Sequence, residues 1–295
     1  MVLCRHLQGD KRHASMLGEC RMNSRNMAAS VRAKLLNRAR YEKLDFNLVL
    51  NRFAIERLLY RLSISKHADN FLLKGALLFD LWFDVPYRPT RDIDFLGFGE
   101  SDLSVVGTVF KEICSTDFED GVLFQIETLK VEEIRKTANY AGARVTVLAL
   151  IDGARCELQI AVGFGDAVTP EPQEASYPVL LADFPAPKLK VYSRYIVVAE
   201  KFEAIATLGI GNSRMKDYFD LWILLTQSDF EGMTLCKAIR ATFKHRSTLI
   251  TPELPFGLRE AFAQDSTKQT QWKPAAQVRL RHSKSGCSTV CHSTS

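Results

Sequence analysis

The sequence predicts an α/β fold, of α+β type, in which a mixed β-sheet preceded by helices leads into a helical C-terminal half. Three observations support this prediction. Apolar residues recur every four positions from Leu50 to Leu62, which is the period of a helix with one buried face. Two strand-like segments flank the turn pair Asp152-Gly153, a pattern typical of a β-hairpin. From residue 196 onward the apolar spacing is helical.

The segments before and within the hairpin alternate between helices and strands. Their boundaries follow from apolar periodicity and from glycine and proline positions. We predict helices at 28–40 and 46–63, a strand at Phe71–Lys74, a helix at 76–83, a strand at 92–98, a helix at 101–114, and strands at 125–130, 144–151 and 155–162.

The second half of the chain begins with a proline-rich stretch. Prolines recur between residues 170 and 187, which predicts a long connection across the surface. Helices follow at 196–208, 215–226 and 235–243. The predicted organisation is a core with N-terminal helices at 26–170, a connection at 171–195 and a helical domain at 196–273.

The two ends of the chain, residues 1–25 and 274–295, lack a core-forming apolar pattern and are predicted to be disordered. We interpret the first as a start codon assigned too early and the second as an atypical, replaced C-terminus. A zinc site at Cys287, Cys291 and His292 is the alternative for the C-terminal segment. It is disfavoured because no second ligand pair lies nearby at the usual spacing.

Composition limits the location of the protein. No run of about 18 apolar residues occurs, so no membrane span is expected. The N-terminus lacks the apolar stretch of a signal peptide, which predicts a cytoplasmic location with the seven cysteines as thiols.

The net charge of +5 is carried by the two ends. Residues 1–45 hold ten Lys/Arg against four Asp/Glu, and residues 268–295 hold five Lys/Arg and no acid. The middle of the chain is acidic, so any contact of the core with RNA is expected from local patches.

The strongest candidate site is the strand that carries Asp92 and Asp94. Side chains alternate along a strand, so these two carboxylates share one face while Ile93 and Phe95 share the other. Two carboxylates on one face predict a cation between them, and oxygen ligands of this kind suit Mg²⁺. The alternative is a solvated strand edge with ion pairs to Arg88 and Arg91.

A glycine turn follows the apolar strand before these carboxylates. Gly75 and Ala76 allow backbone N–H groups to approach an anion such as a phosphate. Lys74 adds a cation if its side chain faces the same way. An ordinary strand-to-helix turn is the alternative.

These residues resemble the minimal nucleotidyltransferase superfamily, and more closely the AbiEii/AbiGii toxins of type IV abortive-infection toxin–antitoxin systems. The resemblance extends from about residue 26 to Trp272. Its blocks are the segments 53–62, 74–96, 163–170, 199–204 and 213–221.

The resemblance implies roles for further residues. In the family the Gly75-Ala76 turn binds the triphosphate. Lys201 is implied as a nucleotide-phosphate contact, with a snorkelling lysine as the alternative. Asp217 is implied as a site residue, whereas Asp220 is a surface acid or buried partner. Apart from the resemblance, Arg214 and Lys216 at the helix start are candidate phosphate or RNA contacts, with a solvated basic helix start as the alternative.

One position departs from the family pattern. Nucleotidyltransferases place a third carboxylate on a strand such as 155–162, and relatives have Asp where Ala161 stands. Glu157 shares the face of Ala161 but lies about 13 Å away along the strand, at ~3.3 Å per residue. The expected metal ligands are therefore Asp92 and Asp94 alone.

The function that the resemblance implies is a nucleotidyltransferase toxin using Mg²⁺ or Mn²⁺. It would transfer a nucleoside monophosphate from an NTP to an acceptor, the 3′ end of tRNA, in phage defence. An AbiEi-like antitoxin is the implied partner. The alternatives are a catalytically impaired, truncated family member and, more distantly, a glycosyltransferase with an Asp-x-Asp motif. Against the latter, only about 90 residues precede Asp92 and most are predicted helical.

Overall fold

The computed structural model describes residues 26–83, 90–134 and 142–273. The helices are α1 (26–42), α2 (Phe46–Ser63), α3 (Leu78–Trp82), α4 (Leu103–Ser115), α5 (Arg194–Leu208), α6 (Met215–Gln227), α7 (Gly232–His245), α8 (Glu260–Gln264) and α9 (266–273). The strands are β1 (Phe71–Lys74), β2 (Asp92–Gly97), β3 (Val122–Glu133), β4 (Gly142–Ile151), β5 (Ala154–Phe164), β6 (Gln173–Ser176) and β7 (Lys188–Val191).

The strands form one seven-stranded mixed sheet in the order β3-β4-β5-β2-β1-β7-β6. The pairs β2–β5 and β1–β7 are parallel, and the remaining pairs are antiparallel. The Asp152-Gly153 hairpin joins β4 to β5, as its turn residues predict. The mixed sheet, the N-terminal helices and the helical C-terminal half confirm the predicted fold class.

The core lies between the N-terminal helices and one face of the sheet. Phe53 and Leu58 on α2 are buried, as are Ile93 and Phe95 on β2. Helix α2 packs against β5, and α4 packs against β3. Because side chains alternate along a strand, the two aspartates of β2 lie on the opposite face of the sheet.

The proline-rich stretch contains more structure than the predicted surface connection. It holds β6 and β7, and β7 lies inside the sheet, where Val191 pairs with Leu73 of β1. The prediction missed β7 because the strand is only four residues long and directly follows Pro185 and Pro187. Leu189 and Val191 are nevertheless both buried.

Smaller differences concern element boundaries. The helix predicted at 76–83 begins as a single 3-10 turn, Gly75–Leu77, before α3. Strand β3 is longer than predicted and contains an irregularity between Gln125 and Lys130. The two predicted tails, with Cys287, Cys291 and His292, lie outside the described residues. Among the helices that are described, none is long and apolar enough to cross a membrane.

A buried ion pair fixes α2 to the start of β3. Nη1 of Arg61 lies 2.7 Å from Oδ2 of Asp120, and Nη2 lies 3.0 Å from Oδ1. Oδ1 of Asp120 also accepts a hydrogen bond from the backbone N–H of Val122 at 3.0 Å. Both side chains are almost fully buried. Removing one partner therefore leaves an uncompensated charge in the core.

We predict that Asp120→Ala lowers the free energy of unfolding by about 3–5 kcal/mol, because the Arg61 guanidinium stays buried without its counter-ion. The matched control is Asp183→Ala, which removes the exposed partner of Lys34 and should cost at most about 1 kcal/mol. Urea denaturation of both variants measures the difference. Equal losses would contradict a structural role for the buried pair.

Candidate active site

The centre of the candidate site is the close approach between Gly75 and Asp94. Gly75 has a φ of +75°, in the left-handed region that favours glycine. A Cβ atom at Gly75 would lie 2.1 Å from Oδ2 of Asp94. Two features therefore require a glycine at this position, the left-handed backbone conformation and the carboxylate that packs against it.

The register of the sheet brings Lys74, Asp94 and Ala161 into one row. Lys74 pairs with Asp94 across β1 and β2, and Asp94 pairs with Ala161 across β2 and β5. Two residues earlier, on the same face of the sheet, Asp92 is opposite Gln159 in the register of β2 and β5. Nε2 of Gln159 donates a hydrogen bond to Oδ1 of Asp92 at 3.2 Å. Asp94 is half-buried and Asp92 is exposed. The shared face of the two aspartates is as predicted, and Lys74 faces the same way.

Lys74 is held by acidic neighbours. Its Nζ donates to Oδ2 of Asp166 at 2.6 Å. Burial acts to lower the pKa of Lys74, but the charges of Glu200 and Asp166 outweigh burial and Asp94 adds to them. The pKa of Lys74 is therefore raised above its ordinary value, and the side chain stays protonated beside Asp94 at neutral pH.

Arg246 extends this network to the helical half. Its Nη2 lies 3.5 Å from Oδ1 of Asp166 and 3.5 Å from Oε1 of Glu200, and its Nη1 lies 2.8 Å from Oε2 of Glu203. Burial acts to lower the pKa of Arg246, but these acids, led by Glu200, raise it further above its usual range. The chain Lys74–Asp166–Arg246–Glu203 thus connects the sheet to α5 and to the residue after α7.

Arg246 is a residue that the sequence analysis missed. It follows two other basic residues at the end of α7, so nothing in its local sequence distinguishes it. Its acidic partners Glu200 and Glu203 do lie in a segment that resembles the family. Their spacing places them on one side of α5 and was the available signal.

A second charged cluster joins α5 to α6. Nζ of Lys201 lies 2.8 Å from Oδ1 of Asp217 and 2.8 Å from Oδ2 of Asp220. Burial acts to lower the pKa of Lys201, but the charges of Asp220 and Asp217 outweigh it and raise the pKa. The two aspartates share one side of α6, as their spacing predicts. The alternative of a snorkelling lysine is wrong, because both carboxylates bind the ammonium group.

The Lys201 cluster reaches the surface at one side. Nε of Arg214 lies 2.7 Å from Oδ2 of Asp217, and the Arg214 side chain is 61% exposed. Asp220, in contrast, is only 1% exposed. Asp217 is therefore the acid of this cluster that connects to an exposed cation, whereas Asp220 is fully interior.

The carboxylates of β2 fit a magnesium ion. Asp92 and Asp94 present oxygens on one partly exposed face, and Mg²⁺ is commonly held by one or two carboxylates together with waters and substrate phosphates. The part of the chain that the structure describes contains no group of three or more His, Cys, Asp or Glu side chains placed to hold a metal ion. In the row of Asp94 the neighbouring position on β5 is Ala161, whose methyl group offers no ligand.

The mixed sheet, its Asp-x-Asp strand and the glycine turn against it are the arrangement of a nucleotidyltransferase, the class that the resemblance predicts. The sequence model of one family, described as "Nucleotidyl transferase AbiEii toxin, Type IV TA system", matches residues 57–284. The chain belongs to this family. The matched range reaches beyond Trp272 and so includes part of the C-terminal segment. The glycosyltransferase alternative is not supported, because the family is one of nucleotidyl transferases.

Two solved structures from Helicobacter pylori are similar to this chain. JHP933 is 12% identical with a TM-score of 0.43, over 82% of this chain and 96% of that one. An inferred nucleotidyltransferase is 14% identical with a TM-score of 0.42, over 82% of this chain and 98% of that one. At this distance neither adds to the functional argument. Among proteins with curated descriptions, none matches the chain.

We predict that Gly75→Ala destabilises the protein more than a left-handed alanine alone would, because the new methyl group collides with Asp94. Gly153→Ala is the matched control, since Gly153 has a φ of +76° and no atom within 4 Å of an added Cβ. The control should cost about 1–2 kcal/mol, and Gly75→Ala should cost more. Thermal and urea unfolding measure both variants, and equal losses would contradict the close approach.

Proposed function

We propose that this protein is a metal-dependent nucleotidyltransferase toxin that transfers a nucleoside monophosphate from an NTP to an acceptor, the 3′ end of tRNA. The observation that carries the proposal is the packing of the Gly75 turn against Asp94, with Lys74 in register beside it. A phosphate-sized anion at the turn would lie next to the carboxylates that suit a cation. Membership of the AbiEii family supports the class of reaction.

The residues of the sheet bind and orient the triphosphate. Asp92 and Asp94 would hold Mg²⁺ or Mn²⁺, which neutralises the charge that develops on the leaving pyrophosphate. The backbone N–H groups of Gly75 and Ala76 are the proposed donors to phosphate oxygens. The protonated Lys74 adds positive charge beside them and lies next to the Asp94 carboxylate.

The helical half completes the nucleotide pocket in this proposal. Lys201 is a cation fixed in position by two carboxylates, and a cation held in this way is already ordered before a ligand arrives. Asp217 positions Lys201 and also contacts Arg214, whose exposed guanidinium group is the proposed contact to a phosphate or RNA. We therefore assign Lys201 and Asp217 to catalysis and Arg214 to substrate binding.

Family membership supports the proposed partner, and the proposed acceptor rests on the resemblance to the family. The family is that of a type IV toxin–antitoxin system, so we propose an AbiEi-like antitoxin as the partner, a cytoplasmic location and a role in phage defence. A transferred nucleotide at the 3′ end of tRNA would block aminoacylation and stop translation.

A second candidate function is that of a catalytically impaired family member. It rests on one observation, the alanine that pairs directly with Asp94 at the position of a third carboxylate. Two carboxylates hold a metal ion less tightly than three, so activity would be reduced. Transfer of labelled nucleotide to total tRNA by the purified protein distinguishes the two candidates.

We predict that Asp94→Asn and Asp92→Asn each lower nucleotide transfer by more than about 100-fold, because a cation contributes several kcal/mol to phosphoryl transfer. The assay follows each labelled NTP onto total tRNA in the presence of Mg²⁺, alongside growth of cells that express the variant. Asp69→Asn, an exposed acid paired with Lys190, is the control and should transfer normally. Full activity in both site variants would refute the assignment.

A second prediction separates catalysis from packing in the Lys201 cluster. Asp217→Asn and Asp220→Asn each remove a carboxylate that lies 2.8 Å from Lys201, so both should lower the melting temperature by similar amounts. Only Asp217→Asn should abolish transfer at a temperature where both variants are folded. Parallel losses of transfer would show instead that the cluster acts only by holding α5 to α6.

A further inference from the structure

Arg144 lies on the same face of the sheet as the candidate metal ligands. It pairs with Ala161 across β4 and β5, and Ala161 pairs with Asp94 across β5 and β2. Because neighbouring strands are about 4.8 Å apart, the backbone of Arg144 is about 10 Å from that of Asp94. Its neighbours Ala143 and Val145 are fully buried on the core side. Arg144 therefore projects from the opposite side, with Ala161 between it and Asp94.

The guanidinium group of Arg144 is not satisfied by the protein. Its Nε is buried from solvent and has no hydrogen-bond partner. Within residues 26–83, 90–134 and 142–273, no hydrogen bond or ion pair involves the Arg144 side chain. Glu132, which is exposed, is the residue opposite Arg144 in the backbone register of β3 and β4. A buried donor without a partner is costly and needs an explanation. A bound ligand with acceptor oxygens would provide one.

We propose that Arg144 binds a phosphate group of a substrate, an inference that rests on the proposed nucleotidyltransferase function. A guanidinium group presents planar donors that match the oxygens of a phosphate, and it remains charged at all physiological pH values. The site then has carboxylates on β2 and a cation on β4, with the small Ala161 between them leaving room for the ligand. A carboxylate at position 161 would instead have paired with Arg144.

Two sources could supply the phosphate, the NTP or the backbone of the acceptor RNA. Arg144 stands on the side of Asp94 away from Lys74 and the Gly75 turn, in the row of the sheet that runs toward β3. Both offer two phosphate oxygens that can accept hydrogen bonds from the guanidinium group. They can be distinguished by measuring which substrate binds less tightly when the guanidinium group is removed.

The test compares Arg144→Gln and Arg144→Lys with the wild-type chain. Binding of magnesium with each NTP is measured by calorimetry, and binding of total tRNA is measured by filter retention. Arg144→Gln should weaken one of the two by about 10- to 100-fold, the effect of losing a hydrogen bond to a charged group. Arg144→Lys should recover part of it. Weaker NTP binding identifies the nucleotide phosphate, and weaker tRNA binding identifies the acceptor.

The matched control is Arg155→Gln. Arg155 is exposed on the same face of β5 but lies six residues from Ala161, about 20 Å along the strand. It should leave both affinities unchanged, and all variants should keep the wild-type melting temperature within a few degrees. Unchanged affinities in Arg144→Gln, or an equal loss in Arg155→Gln, would overturn the proposal.

The binding measurements do not depend on catalysis. If the wild-type protein binds NTP or tRNA through Arg144 but transfers no nucleotide, the proposed function would be refuted and the phosphate site would stand. If the wild-type protein transfers nucleotide and Arg144→Gln does so with the same KM values, the proposed function would be supported and the proposed phosphate site would be refuted.

Discussion

The close approach of a glycine backbone to a strand carboxylate is the constraint on which the candidate site depends. Gly75 must lack a side chain because Asp94 occupies the space where a Cβ would be. The contact fixes the end of β1 against the middle of β2 and so sets where the turn meets the carboxylates. Lys74 and the aspartates of β2 take their positions from this one contact and from the strand register.

Charge in this molecule is arranged in two different ways. The pair Arg61–Asp120 is enclosed and fully matched, so it holds α2 to the sheet and nothing else. Around Lys74, in contrast, the charged neighbours Asp94, Asp166 and Glu200 belong to elements that are far apart in sequence. Their charges raise the pKa of Lys74 on a partly exposed face of the sheet.

Local sequence predicted what depends on local structure. The shared face of Asp92 and Asp94 and the common side of Asp217 and Asp220 follow from side-chain periodicity, and the β4–β5 hairpin follows from its turn residues Asp152-Gly153. The contact of Lys201 with both acids of α6 was not predictable from period alone, because it requires the packing of two helices. The position of Ala161 as the third-carboxylate site came from the resemblance, and its pairing with Asp94 came from the structure.

The features that the sequence did not predict are those with long-range partners. Strand β7 was missed because four residues directly after two prolines are a weak signal, and the strand is completed by its pairing with β1. The local sequence of Arg246 is that of an ordinary basic residue at a helix end, and only its contact with Asp166 in the folded protein distinguishes it. Arg144 was not distinguished because an arginine on a strand is ordinary, and its missing partner is a property of the fold. In each case the deciding neighbour lies far away in the sequence.

The same long-range pairing has a consequence for how the protein is made. Asp166 follows Lys74 by 92 positions and precedes Arg246 by 80, so the network closes only when most of the chain is present. Contacts between distant residues form late, because the entropy of closing the intervening loops opposes them. The hairpin of β4 and β5 needs only its own residues and can form early during synthesis. A growing chain on the ribosome can therefore form the β4–β5 hairpin well before Arg246 is available to close the network that joins the sheet to α5.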